Sequence, residues 1–177
     1  MKAKELFSFN NSKFEKLRDP SRLVIAKYQE ANRFFDSIQE YVYIEQGMPF
    51  LSKAIHYQAH KFPQRFDKFA DMLHERHLMA EYPETPELNW REELKDIDDV
   101  FSLIIRVFDN IHSALEEMYN ATDNAEFRPM ALFVENLMQE NSADYTKFIQ
   151  AWTRWDDEGG SKTSFDSWCA HYFEVEK

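Results

Sequence analysis

The sequence predicts an all-α chain folded as a four-helix bundle, with a short fifth helix at its C-terminal end. Three observations predict it. Glycine occurs 3 times and proline 6 times in 177 residues, so the strongest helix breakers are scarce. The long stretches between them carry apolar residues at alternating spacings of four and three, the signature of one buried helical face. No segment of any length alternates apolar and polar residues as a half-buried strand does.

Taken in order, residues 1–19 read as an N-terminal extension, 20–158 as the bundle, and 159–177 as a turn and short helix. Pro20-Ser21 opens the first helix and Gly47 closes it. Its stripe is Val24, Tyr28, Ala31, Phe35, Ile38 and Val42; "YVYI" at Tyr41–Ile44 has strand-like composition but stays in helical register. Residues Met48–Phe62 are open to two readings: Pro49 starts a helix there, or Pro63 ends or kinks one. The second helix is expected within Gln64–Tyr82, on Phe66, Phe69, Ala70, Leu73, His77 and Ala80. The third lies between Glu87 and Arg128, on Leu94, Ile97, Phe101, Ile104, Phe108, Ile111, Leu115 and Met118. The fourth, within Met130–Glu158, continues a stripe from Phe127 through Ala131, Val134, Met138, Asn141, Tyr145, Phe148 and Trp152 to Trp155. "YPETPELN" and "NATDNAEFRP" supply turn and cap residues between helices. "FDSWCAHYFEVEK" is the short terminal helix. Four amphipathic helices bury their stripes by packing together.

Composition narrows the function. Hydrophobic residues make up 44% and aromatic residues 16%, including 16 Phe, which excludes a disordered chain. The net charge of -11 repels phosphate backbones and anionic bilayers, so neither nucleic acid nor membrane is expected as a partner. No apolar run approaches the ~20 residues that span a bilayer. The segment "MKAKELFSFNNSKFEKLRD" lacks a secretory apolar core, so a cytoplasmic protein is expected. A single cysteine, Cys169, permits no internal disulfide and no cysteine-based zinc site. There is no glycine-rich phosphate loop and no G-x-S-x-G elbow. An acidic surface does attract cations.

The stretch "ADMLHERHLMAEYP" concentrates metal-ligand chemistry. It holds His74 and His77 three residues apart, with Asp71, Glu75 and Glu81 around them. At about 100° per residue, His77 falls near the centre of the second stripe, His74 and Glu81 flank it, and Asp71 lies off it. Glu45 continues the first stripe and His112 flanks the third. Inward-pointing carboxylates and imidazoles are how bundles bind metals, and these donors suit iron, manganese or zinc. His56 and His60 also have the spacing at which two ligands on one helix reach one ion. The plainer alternatives are surface histidine pairs, and a core His77 hydrogen-bonded to a partner such as Asn141.

The order of pieces resembles the ferritin-like superfamily over roughly Ser21 to Phe173. "EYVYIEQ" is similar to the first-helix segment of ferritins. "DMLHERHLMAEYP" sits where ferritins carry Glu-x-x-His, and its tail resembles the second-helix end of the starved-cell DNA-protection (Dps) branch. "ALEEMYNATDNAEFRPMALFVENLMQEN" resembles the junction of the third and fourth helices in both. The resemblance implies a homo-oligomer that binds iron or another divalent metal. Iron oxidation or storage, or protection against oxidative stress, would be its work; as an enzyme it would be a di-metal, ferroxidase-like oxidoreductase. By position, Asp71 and His74 form Asp-x-x-His in place of Glu-x-x-His, Asp36 stands for the first-helix carboxylate, and Asp109 with His112 repeats Asp-x-x-His. Glu135 and Glu140 are near the fourth-helix carboxylates, but no second Glu-x-x-His follows. Asp36 points away from its stripe. The candidate metal ligands are therefore His74, His77, Asp71, Glu45 and His112. The alternative is a metal-free ferritin-like bundle that acts as a protein-interaction module. A ferritin crossover runs the length of the bundle. Residues 83–95 reach about 43 Å at ~3.3 Å per residue, enough if the third helix starts near Asp96. A start at Trp90 favours an up-down-up-down order.

Overall fold

The computed structural model describes residues 14–84, 89–122 and 126–175. Most of the N-terminal extension and parts of "YPETPELN" and "NATDNAEFRP" lie outside the described residues. The helices are α1 (Glu15–Ile44), α2 (Pro49–His74), α3 (Ile97–Thr122), α4 (Arg128–Asp157) and α5 (Lys162–Tyr172), with a 3-10 turn at Trp90–Glu93. No strand occurs among the described residues. No described helix is long and apolar enough to cross a membrane. The stripes of α1 and α3 are buried throughout, and that of α4 is buried or half-buried.

Three helix boundaries differ from those expected, and each has a local cause. α1 begins before Pro20 rather than at it. The earlier start sends Leu17 fully into the core and brings Phe14 against Phe127, with ring centroids 5.5 Å apart. The open segment Met48–Phe62 is helical, with Pro49 in the first turn of α2, where its missing N–H is no loss. Pro63 then lies inside the helix. It deprives the Ala59 carbonyl of its usual donor, and Asn32 Nδ2 from α1 donates to that carbonyl instead at 3.2 Å. At the other end, α2 stops at His74, well before Tyr82. His77 takes a left-handed conformation, φ 58°. Its N–H donates to the His74 carbonyl at 2.9 Å, and the Leu78 N–H to the Leu73 carbonyl at 3.0 Å. That pair of bonds is a Schellman ending, and it turns the chain so that Leu78 enters the core.

The chain then crosses the length of the bundle. Near the start of α1, Glu81 pairs with Arg18 at 2.8 Å and Arg22 at 3.4 Å. Midway, Trp90 packs on Phe34 with centroids 6.3 Å apart. Further on, Glu93 pairs with Arg106 at 2.8 Å. α3 begins late, at Ile97, as a full crossover requires. Ser21 meets Met118 and Phe35 meets Phe108, so α3 runs antiparallel to α1. Gln58 meets Asp144 and Arg65 meets Glu140, so α4 runs antiparallel to α2. The order is up, down, down, up: a ferritin-like four-helix bundle closed by a short fifth helix.

α5 is tied to the start of α2. Met48 occupies the N-cap position of α2 and cannot cap with its side chain. The Asp166 carboxylate does so from α5, accepting the Phe50 N–H at 3.0 Å and the Leu51 N–H at 2.8 Å. It satisfies two of the donors a helix start leaves open and sits at the positive end of the dipole. Asp166→Ala should lower stability by about 1–2 kcal/mol. Asp166→Asn, which keeps one acceptor oxygen, should lose less. Urea unfolding of the three proteins checks the ranking, and equal midpoints would remove this cap from the account.

Candidate functional site

The centre of the bundle is aromatic. Phe35 of α1, Phe62 of α2, Phe108 of α3 and Phe148 of α4 form one cluster. Phe35 lies 5.0 Å from Phe62, 5.7 Å from Phe108 and 5.9 Å from Phe148, between centroids. Phe108 closes the set at 6.1 Å from Phe62 and 5.8 Å from Phe148. The three pairs made by Phe35 are edge-on, the arrangement ring quadrupoles favour. All four rings are 2% exposed or less.

Beside this cluster, α2 and α4 are joined by charge. Arg65 and Asp144 pair while only 6% and 5% exposed. Lys61 donates to Asp144 at 2.8 Å, Gln58 at 3.0 Å, and Arg65 Nε pairs with Glu140 at 3.0 Å. Burial alone would raise the Asp144 carboxyl; the Lys61 hydrogen bond and the Arg65 charge outweigh it and hold the group below its ordinary range. Tyr28 lies close enough to feel the same charges, and burial pushes its phenol far up. The Tyr28 hydroxyl, Arg65 Nη1 and Asn141 Oδ1 are buried without a protein partner.

The candidate metal ligands lie elsewhere. Asp71 and His74 are exposed on the last turn of α2, and His77 is exposed in the turn beyond it. His77 therefore does not sit at the centre of a buried stripe, because the helix has already ended. Glu45 is the exposed C-cap of α1 rather than a continuation of its stripe. It stands at the other end of α2, a helix of 26 residues or ~39 Å, so it cannot share an ion with His74 or His77. His112 is half-buried on α3 and lines a groove of about 170 Å³ with Asp109, Asn141 and Tyr145. Asn141 donates to the Phe108 carbonyl at 3.1 Å; the His77 partnership considered from sequence does not form. Glu135 is exposed and Glu140 is engaged by Arg65. Among the described residues, no three His, Cys, Asp or Glu side chains come together as a metal site. The interior residues do not fit a di-metal centre either. Phenyl rings offer no donor atoms, and Arg65 brings a positive charge to the polar side of the core.

Asp144 precedes Tyr145 of the α4 stripe in the sequence, but apolar spacing alone does not reveal its partners. The available signal was the spacing of Gln58, Lys61 and Arg65, which share one helix face if Pro49 rather than Pro63 marks the start of the helix.

Two expectations follow. Arg65→Met leaves the buried Asp144 carboxylate with only Lys61 and Gln58 and should destabilise the protein by about 1–3 kcal/mol, read as the shift in urea midpoint. The folded-state value of Asp144 is depressed, so its contribution is fully present above the ordinary carboxylate range, about pH 4, and is lost as pH falls through the lower folded value. Midpoints measured from pH 7 to pH 3 should fall less steeply in Asp144→Asn than in the parent, and parallel slopes would contradict this.

No protein-family model matches the chain, and no curated protein matches it. Among solved structures, the fold is similar to that of a variant of the ferritin PmFTN, soaked in iron for 45 min. The TM-score is 0.80 at 15% sequence identity, over 86% of this chain and 98% of that one. The likeness establishes a ferritin-like fold.

Proposed function

We propose that this chain uses a ferritin-like bundle as a protein-interaction module and holds no iron at the bundle centre. The carrying observation is the cluster of Phe35, Phe62, Phe108 and Phe148, one ring from each helix. It fills with hydrocarbon the space where a bundle metal site needs inward-facing donors. The departures from Glu-x-x-His noted in the sequence accord with this reading. Around the α1–α2 turn, Tyr43, Ile44 and Tyr57 are exposed by 60%, 74% and 43%, and apolar exposure of that kind marks partner surfaces.

A second reading, iron or other divalent metal binding at the protein's histidines, draws on the likeness to an iron-soaked ferritin. Its ligands would come from Asp71, His74 and His77 at the end of α2, with Glu45 and His112 acting separately. Storage of iron would then require a homo-oligomer.

One experiment separates the readings: metal analysis of the purified protein before and after anaerobic ferrous loading, with melting recorded in parallel. The interaction reading expects no retained iron and an unchanged Tm. One or two irons per chain, with a Tm raised by several degrees, would overturn it. If changing His74 and His77 to Ala abolished that iron, the second reading would stand.

A further inference from the structure

On the outer face of α2, one turn apart, His56 and His60 are already arranged as a pair. Their Nε2 atoms are 3.0 Å apart. The rings stand at 87° to each other with centroids 4.4 Å apart. Two histidines bound to one ion by bonds of about 2.1 Å place their nitrogens roughly 3.0–3.4 Å apart, from a right angle to a tetrahedral one. In the metal-free protein the same contact is an N–H···N hydrogen bond, in which one ring donates and the other accepts.

The surroundings favour the metal form. His56 Nδ1 is buried without a hydrogen-bond partner, and Asp36 Oδ1 of α1 stands 3.9 Å from it. Asp36 is itself held, because Asn32 Nδ2 donates to its other oxygen at 3.2 Å. A carboxylate behind a ligating imidazole favours the Nδ1–H tautomer, which leaves the Nε2 lone pair free for a metal. The nearest cations on α2 are turned aside: Lys53 donates to the Val175 carbonyl and Lys61 to Asp144. His60 is exposed and His56 half-buried, so the Nε2 pair faces solvent.

We propose that His56 and His60 chelate one imidazole-preferring divalent ion of the zinc, nickel and copper class through their Nε2 atoms. Asp36 is a positioning residue that fixes the His56 tautomer, and water completes the coordination shell. The donor set is two neutral nitrogens, which these ions favour and magnesium or calcium does not. The site stands apart from the bundle centre and from His74 and His77, so it does not depend on either reading of the function.

The test is calorimetric titration of the 177-residue chain with zinc chloride in a non-coordinating buffer. One zinc per chain is expected. His60→Ala should weaken binding at least tenfold, Asp36→Asn about tenfold, and His74→Ala not at all. Tm and far-ultraviolet circular dichroism without zinc show whether each variant is folded. Long-range proton–nitrogen NMR of the zinc-free protein should show His56 as the Nδ1–H tautomer in the parent and as a mixture in Asp36→Asn. Absence of zinc binding, or binding that survives both His56→Ala and His60→Ala, overturns the site. An unchanged His56 tautomer in Asp36→Asn overturns the role of Asp36.

Discussion

The contact among Phe35, Phe62, Phe108 and Phe148 sets the terms for the rest of the molecule. Each helix gives one ring, so all four must meet at one level of the bundle. Edge-on ring pairs add about 0.5–1.5 kcal/mol each beyond the area they bury. The larger consequence is geometric. With the four rings in register, the stripes above and below them fall into place on α1, α3 and α4. The crossover has to run from Glu81 beside Arg18 to the start of α3 for this register to hold.

Among the described residues, buried charge flanks that core where α2 meets α4. α2 and α4 meet through Gln58, Lys61 and Arg65 on one helix and Glu140 and Asp144 on the other. A buried pair of this kind adds little net stability compared with well-packed apolar residues. Its effect is selective: a slip of either helix would leave Asp144 without Arg65, Lys61 or Gln58. The hydrocarbon centre and the buried guanidinium together give the ferritin-like fold an interior suited to packing and poorly suited to cations. On the outside, two imidazoles share a seam with a carboxylate of the neighbouring helix.

Much of this was legible in the sequence. The stripes of α1, α3 and α4 follow from apolar spacing over long runs free of glycine, and Phe35, Phe108 and Phe148 were on them. α2 was harder to read because its two prolines stand at opposite ends of the uncertain segment. What rescues Pro63 is Asn32, a residue on another helix and 27 positions from the Ala59 carbonyl to which it donates, which no local pattern reveals. The same limit applied to the histidines. His77 was placed on a stripe because the spacing continued past it, whereas the chain turns there in a conformation that glycine usually supplies. Asp36 was set aside because it faces away from the core. A helical wheel ranks residues by their angle to the core and does not see the outer seam between two helices, where Asp36 meets His56.

The bond from Asp166 to the start of α2 spans 115 residues of sequence at Leu51. During synthesis, a chain extending as far as α4 has every residue of α2 but not the acceptor for its first backbone donors. The first turn of α2 must wait, solvated, until the segment that carries α5 has emerged. The order of manufacture and the order of completion therefore run in opposite senses at this point. The short fifth helix acts as the latch that closes an element laid down early.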